Sequence, residues 1–397
     1  MQQLCEIYLS HGHGDIEMRN KLDLLDVRII ESRGEHGPRN ISEIAKNLHV
    51  ARGTVLARIR RMSSFFYLRM SANVYHTNLG LKKAVVFAKA APGNEELLFN
   101  FMRVNRFYIY LSRCYGMFEG ALGVYVIPKD QCTKFEQFIQ EIKKLGIAQD
   151  MRLFWSTCFH TVNRTMNWFD GMSEKWAFPW DEWIEEVRTQ QDILPYTLVD
   201  PEDFPMKADK TDLFILKEME KNATIDLVDI ARKFGTSLQN LRYHYKEHVE
   251  KKGLLEVFQI FLLPFDQAVS DMFFFVFRFD DHEKLAKFAR SLLDKPFVYI
   301  VGKILGQNTI ISQVYLPRQE FRRFVDSLSK LVRAGYLRDY DYVIQDLRPE
   351  KYYRATIPFE SFKDGSWTYD HNGHLKGIHE AVKKYSVDND LNKPLAV

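Results

Sequence analysis

The chain has 397 residues, with 55 lysines and arginines, 52 acidic residues and a formal net charge of +3. Its length predicts two to four domains, and its 46% hydrophobic and 27% charged residues are typical of a soluble globular protein. No apolar run approaches the roughly 18 residues of a membrane span, which excludes an integral membrane protein, whereas the small net charge neither demands nor forbids nucleic-acid binding.

The first 20 residues are predicted to form a loose tail without the basic start and apolar core of a secretory signal. His11 and His13 were weighed as metal ligands, but no third ligand is near them in the sequence. The cysteines are scattered and form no CxxC pair: Cys5, Cys114, Cys132 and Cys158. This pattern favours reduced thiols in a cytoplasmic protein.

Residues 22–62 predict three helices, of which the last two form a helix-turn-helix with a three-residue turn. One face of each of these two helices is small or apolar: Ile44, Ala45 and Leu48 in the first, Val55, Ile59 and Met62 in the second. The opposite face of the last helix is small at its start and then cationic: Gly53, Thr54, Ala57, Arg58 and Arg61. Such a face suits a helix in the DNA major groove. The alternative is a solvated basic helix on an unrelated α/β protein.

Residues 64–160 predict a hairpin of strands 65–75 and 82–90 around a turn at 78–80, followed by further helices and strands. The later elements are helix 95–104, strands 107–115 and 118–126, helix 134–144 and strand 150–154. Without the leading strand, the order β-α-β-β-α-β is that of a ferredoxin-like domain.

An aromatic extension at 161–188 and a proline-containing linker at 189–208 follow. Trp176, Trp180 and Trp183 could form a cage for a ligand cation. The favoured interpretation is that they cover an apolar edge of the preceding sheet.

The second half matches the first at an offset of 186 residues, so that Ile44, Ala45 and Val55 fall on Ile230, Ala231 and Leu241. The predicted units are a helix-turn-helix at 21–63 and at 209–255, a ferredoxin-like domain at 64–160 and at 256–347, and a final extension and tail at 348–397. The second reading helix, 237–250, begins at the good N-cap Ser237. Repetition at domain length predicts a tandem duplication.

The segments LDLLDVRII, SEIAKNL and GTVLARIRRM resemble the leucine-responsive regulator (Lrp/AsnC) family. The resemblance implies an α+β fold in which each unit is a helix-turn-helix (winged-helix-like) domain followed by a ferredoxin-like domain that dimerises and often senses a small molecule. Gly116, and Gly302 or Gly306, correspond to a turn glycine that borders the effector pocket in relatives. No acidic residue is placed there as in amino-acid-sensing relatives, so an amino-acid effector is not expected. Ala51 stands where the family usually has a helix-capping serine.

The predicted function is sequence-specific binding of double-stranded DNA by a transcriptional regulator. It would act as a homo-oligomer or as a pseudo-dimer within one chain, with no catalytic role, metal or cofactor expected. The predicted phosphate contacts are Arg58, Arg60, Arg61, Arg242 and Lys246. The predicted base contacts are Arg52, Thr54, Gln239, Asn240 and Tyr243. Because the two reading helices differ, an asymmetric target is expected.

Two alternatives remain open at this point. Siroheme decarboxylases resemble the same unit, and His76, His160, Arg113 and Arg152 would serve such an enzyme. A third interpretation is an assembly protein whose second helix-turn-helix is an interaction surface, with Glu247 and Glu250 on it.

Overall fold

The computed structural model describes residues 21–162 and 165–391. The interpretations of Cys5, His11 and His13 lie outside these residues. The predicted α+β class is confirmed, since the described chain combines helices with one large antiparallel sheet. Among the described residues, no helix is both long and apolar enough to cross a membrane.

The first half begins with three helices and continues as β-α-β-β-α-β after a leading strand. Its elements are α1 (Leu24–His36), α2 (Ile41–Asn47), α3 (Arg52–Phe65), β1 (Arg69–Val74), β2 (Leu81–Ala90), α4 (Glu95–Val104), β3 (Tyr108–Gly116), β4 (Gly120–Pro128), α5 (Cys132–Lys144), β5 (Ala148–Ser156), the short strands β6 (His160–Thr161), β7 (Phe169–Asp170) and β8 (Lys175–Trp176), and α6 (Trp180–Thr189).

The second half has the same order of elements. They are α7 (Lys210–Lys221), α8 (Leu227–Phe234), α9 (Leu238–Tyr243) with a π-helical continuation (His244–Glu250), β9 (Leu255–Phe261), β10 (Ser270–Arg278), α10 (His282–Leu292), β11 (Val298–Lys303), β12 (Thr309–Pro317), α11 (Arg318–Arg333), β13 (Asp339–Gln345), the short strands β14 (Tyr352–Arg354), β15 (Phe362–Lys363) and β16 (Ser366–Trp367), and α12 (His371–Leu391). The tandem duplication and the domain boundaries stay predictions.

Each half contributes four antiparallel strands in the ferredoxin-like order, β5-β2-β4-β3 and β13-β10-β12-β11. The two sets join edge to edge, because β3 pairs with β13 through Cys114 and Gln345. An apolar core that includes Phe87, Phe274 and Val276 draws on both halves. The sheets of one chain therefore pair with each other, as a dimer of single units would.

The predicted hairpin between the first two strands is wrong. β1 pairs with β9 of the other half, from Arg69 opposite Phe261 to Val74 opposite Leu255, and not with β2. Both segments have the apolar and β-branched composition of strands, but local composition does not specify a partner 186 residues away in the chain. The β1–β9 ribbon ties the two helix-turn-helix units together.

The aromatic extensions cover the opposite half, which corrects the prediction that they cover the preceding sheet. Trp180 and Trp183 of α6 are buried against Phe288 and Phe324 of the second half. In exchange, Tyr369 and α12 pack on the core of the first half. Burial of large apolar area explains these tryptophans without a ligand cation.

Candidate functional site

The start of helix α3 is an open surface. Arg52, Gly53, Thr54, Ala57 and Arg60 are exposed, while Val55 and Met62 are fully buried on the opposite face. A Cβ atom added at Gly53 would meet nothing within 4 Å. The N-cap Ala51 makes no side-chain cap hydrogen bond, as its residue type requires, so the first amides of α3 lack a side-chain acceptor.

Two of the predicted phosphate contacts, Arg58 and Arg61, are tied to helix α1. Arg58 forms ion pairs with Asp23 and with Asp26, the latter at 3.3 Å, and Arg61 pairs with Asp26. Asp26 is fully buried, whereas the arginine side chains are 31% and 22% exposed. Although burial alone would raise it, hydrogen bonds from the Asp26 amide and from Arg58 lower the pKa of Asp23. Their geometry assigns both arginines to positioning α3, and phosphate contact by them stays a prediction.

The second reading helix is capped as predicted, because Ser237 Oγ accepts a hydrogen bond from the Asn240 amide at 3.1 Å. Its outer face carries five predicted DNA contacts, all of them exposed: Gln239, Asn240, Arg242, Tyr243 and Lys246. The Asn240 side-chain amide donates to Thr236 Oγ1 at 3.1 Å, which orients its carbonyl oxygen.

A cluster that sequence reasoning did not find lies beside this helix and consists of Asp209, Asp212, His244 and His248. We call it the Asp–His cluster. Asp209 and Asp212 form the capping box of α7, as Asp23 and Asp26 form that of α1. His244 occupies the position of Arg58 at the offset of 186. The π-helical turn adds one residue, so the later counterparts are 187 apart and His248 occupies the position of Arg61.

A second buried group lies between the helix-turn-helix units and the sheet. We call it the interdomain polar cluster: Asn73, His76, Lys83, His160 and Glu256. Asn73 Nδ2 donates to Glu256 Oε2 at 2.7 Å and to Thr161 Oγ1 at 2.6 Å. His160 Nδ1 lies 2.8 Å from Thr197 Oγ1 and 3.4 Å from Glu256 Oε1.

The charges of this cluster are shifted by burial. Burial raises the pKa of Glu256 to about 7 and lowers that of His160 to about 4. The pKa of Lys83 is also lowered by burial, and its ammonium lies 4.0 Å from the centre of the Phe159 ring. Burial, aided by the charge of Lys83, lowers the pKa of His76 well below its ordinary value. Shifted groups of this kind are common at functional sites.

The residues weighed for an enzyme separate in the structure. His76 and His160 belong to the interdomain polar cluster, but Arg113 pairs with Glu96 and Arg152 with Asp150 and Asp341. Arg152 lines a small pocket between the facing sheets.

The three glycines of the predicted effector pocket do not line that pocket. An added Cβ at Gly302 would lie 2.8 Å from the Phe159 ring, beside the interdomain polar cluster, whereas one at Gly116 would contact Ile344. Gly306 has a left-handed φ of 68° in the turn after β11 and donates its amide to Asp200. Effector binding by these glycines stays a prediction.

No protein-family model matches the chain, and comparison with curated proteins gives no match. Among solved structures, the siroheme decarboxylase NirDL is similar over 91% of this chain and 98% of its own, with 10% identity and a TM-score of 0.48. An AsnC family transcriptional regulator from Agrobacterium tumefaciens is similar over 41% of this chain and 99% of its own, with 18% identity and a TM-score of 0.29. For a Neisseria meningitidis transcriptional regulator in complex with L-Met, the values are 34%, 89%, 18% and 0.28.

These comparisons bear on two expectations. The resemblance to Lrp/AsnC regulators is supported over part of the chain, at low TM-score. The expectation that the chain has no enzymatic role is corrected, because the solved structure that matches 91% of this chain is that of an enzyme.

Proposed function

We propose that the chain is a sequence-specific DNA-binding regulator of the Lrp/AsnC type that reads DNA with α3 and α9. The observation that carries the proposal is the exposure of eight of the predicted contacts on these two helices: Arg52, Thr54, Arg60, Gln239, Asn240, Arg242, Tyr243 and Lys246. The opposite faces of both helices are buried in their own helix-turn-helix cores. The exposed set combines cations for phosphates with amide side chains for adenine edges.

The two helices have different tasks within this proposal. The uncapped start of α3 offers backbone amides to a phosphate, and Arg52 and Arg60 add charge there. On α9, Gln239 and Asn240 present amides that can pair with adenine in a bidentate manner. The β1–β9 ribbon holds both units in one chain, so the spacing between two dissimilar half-sites is fixed.

Selection of bound sequences from a random DNA pool, at two salt concentrations and with the full chain, tests the proposal. We expect two dissimilar half-sites at constant spacing. Recovery of one half-site would remove α9 or α3 from the interface, and no enrichment would reject DNA reading altogether.

Two variants separate the roles of individual side chains. Asn240→Ala should relax the preference at one position, by about 1–3 kcal/mol. Arg60→Ala should weaken binding to all sequences alike and reduce the slope of log affinity against log salt by about 1. An unchanged preference in Asn240→Ala would exclude that residue from base reading.

A second candidate function is an enzyme that acts on a tetrapyrrole carboxylate, and the interdomain polar cluster favours it. Lys83 can pair with a carboxylate, and the pKa values of about 7 for Glu256 and about 4 for His160 allow proton transfer near neutral pH. Siroheme added to the chain should then shift its absorbance and release CO2, and Glu256→Gln should abolish the release. An unchanged siroheme spectrum would reject this candidate.

A further inference from the structure

The two capping boxes pose the same electrostatic problem in the two halves. In the first, the carboxylates of Asp23 and Asp26 face the guanidinium groups of Arg58 and Arg61, so two negative charges meet two positive charges. In the second, Asp209 and Asp212 face imidazoles. Among the described residues, no lysine or arginine lies within 4.0 Å of either carboxylate. Neutral imidazoles leave two negative charges that a divalent cation would balance.

The donor atoms already converge. His244 Nδ1 lies 2.8 Å from Asp212 Oδ1 and 3.5 Å from Asp209 Oδ2. His248 Nδ1 lies 3.1 Å from Asp212 Oδ1 and 3.9 Å from Asp209 Oδ2. A tetrahedral ion with bonds near 2.0–2.1 Å requires ligand atoms about 3.3 Å apart, which falls within the observed distances.

The local structure holds these donors in place and leaves an entrance. The histidines are four residues apart on one helical face, a spacing that places two imidazoles on one ion. Asp212 is fully buried and accepts the Asp209 amide at 2.9 Å, which fixes its carboxylate. Asp209 is 51% exposed, so an ion can enter from solvent.

We propose that Asp209, Asp212, His244 and His248 bind one divalent transition-metal ion of the zinc class. The nitrogen and oxygen donors suit Zn²⁺ and Co²⁺ better than Mg²⁺ or Ca²⁺, which prefer oxygen alone. The ion would connect helix α7 to the π-helical turn that continues α9. It would take the place that the arginine pairs occupy in the first half.

The test uses the full chain, stripped with a chelator and then dialysed against equimolar Zn²⁺ or Co²⁺. We expect one Zn²⁺ per chain by elemental analysis, the visible ligand-field bands of tetrahedral Co²⁺, and a higher melting temperature with metal. Zn X-ray absorption of the unmodified chain should show two imidazole ligands at about 2.0–2.1 Å. A chain that retains no metal, or a zinc shell without imidazole, would overturn the proposal.

The double variant His244→Arg/His248→Arg installs the ion pairs of the first half, so it should keep the fold while losing metal affinity by more than about 100-fold. If it does not fold, Asp209→Asn removes one exposed ligand and should weaken binding by at least about 10-fold. The control His11→Ala/His13→Ala removes the histidines of the N-terminal segment and should bind as tightly as the parent. Binding that follows His11 and His13 instead would assign the ion elsewhere.

Discussion

The two helix-turn-helix units are built alike and stabilised differently. Both begin with a capping box of two aspartates, and both bury the second aspartate completely. In the first unit, two arginines from a regular α-helix reach this acid. In the second, two histidines reach it from a helix with a π turn. The shared acid pair shows which part the fold requires, and the differing partners show where the halves have acquired separate chemistry.

The same contrast extends to other equivalent positions. Buried Arg33 of the first unit corresponds to buried Met219 of the second. Buried Met70 corresponds to Glu256 of the interdomain polar cluster. His49, with a φ of 54°, corresponds to Gly235, with a φ of 76°. Each pair allows one half to serve as the reference for the other.

The largest effect should come from removing the buried acids. Asp26→Ala leaves two permanently charged arginines without their partner and should lower the free energy of unfolding by about 3–5 kcal/mol. Asp212→Ala leaves two histidines that can become neutral, so about 1–2 kcal/mol is expected in metal-free protein. Urea denaturation of both variants measures the difference, and equal losses would contradict the proposed role of partner chemistry.

Much of this architecture follows from the sequence, because each element is written in a local pattern. Helix α4 was predicted at its observed bounds, and the strands of both sheets were predicted to within a few residues from their apolar and β-branched composition. The β1–β9 pairing and the exchange of aromatic extensions could not be predicted, since they depend on partners in the other half.

The site residues divide in a similar way. Arg58 lies three residues after buried Val55 and four before buried Met62, so the helical period alone places it beside the buried face. The i, i+4 histidines were also visible, but their acids lie more than 30 residues earlier in the chain. Only the fold brings Asp209 and Asp212 to them.

The second comparison, Glu256 against Met70, predicts a dependence on pH. A carboxyl group whose pKa is raised from 4.5 to about 7 in the folded state stabilises the fold less as pH rises through 7. Glu256→Gln keeps an acceptor for Asn73 and removes this titration. It should match the parent near pH 5 and exceed its free energy of unfolding by up to about 3 kcal/mol at pH 8. A constant difference between pH 5 and pH 8 would show that Glu256 is not the titrating group.

The third comparison concerns Arg33. Its side chain is buried with Nε donating to Met70 Sδ at 3.0 Å, and burial lowers its pKa to about 10. The buried charge opposes folding at every pH below that value. Arg33→Met installs the residue of the second half and should raise the free energy of unfolding by about 1–3 kcal/mol at pH 7. Lys46→Met, on the exposed face of α2, serves as a control for the change in side-chain type and should have little effect.

The smallest effect concerns the turn after α2. His49 adopts the left-handed conformation that glycine occupies without strain, and Gly235 ends the equivalent helix α8 in this way. His49→Gly should therefore raise the free energy of unfolding by about 0.5–1 kcal/mol, whereas Gly235→His should lower it by a similar amount. Paired melts of the two variants make the test symmetric. Because His49 is also next to the open start of α3, DNA affinity should be measured alongside. A stabilised His49→Gly that binds DNA as the parent does would show that the strained turn belongs to folding alone, while a loss of affinity would place the imidazole at the DNA surface.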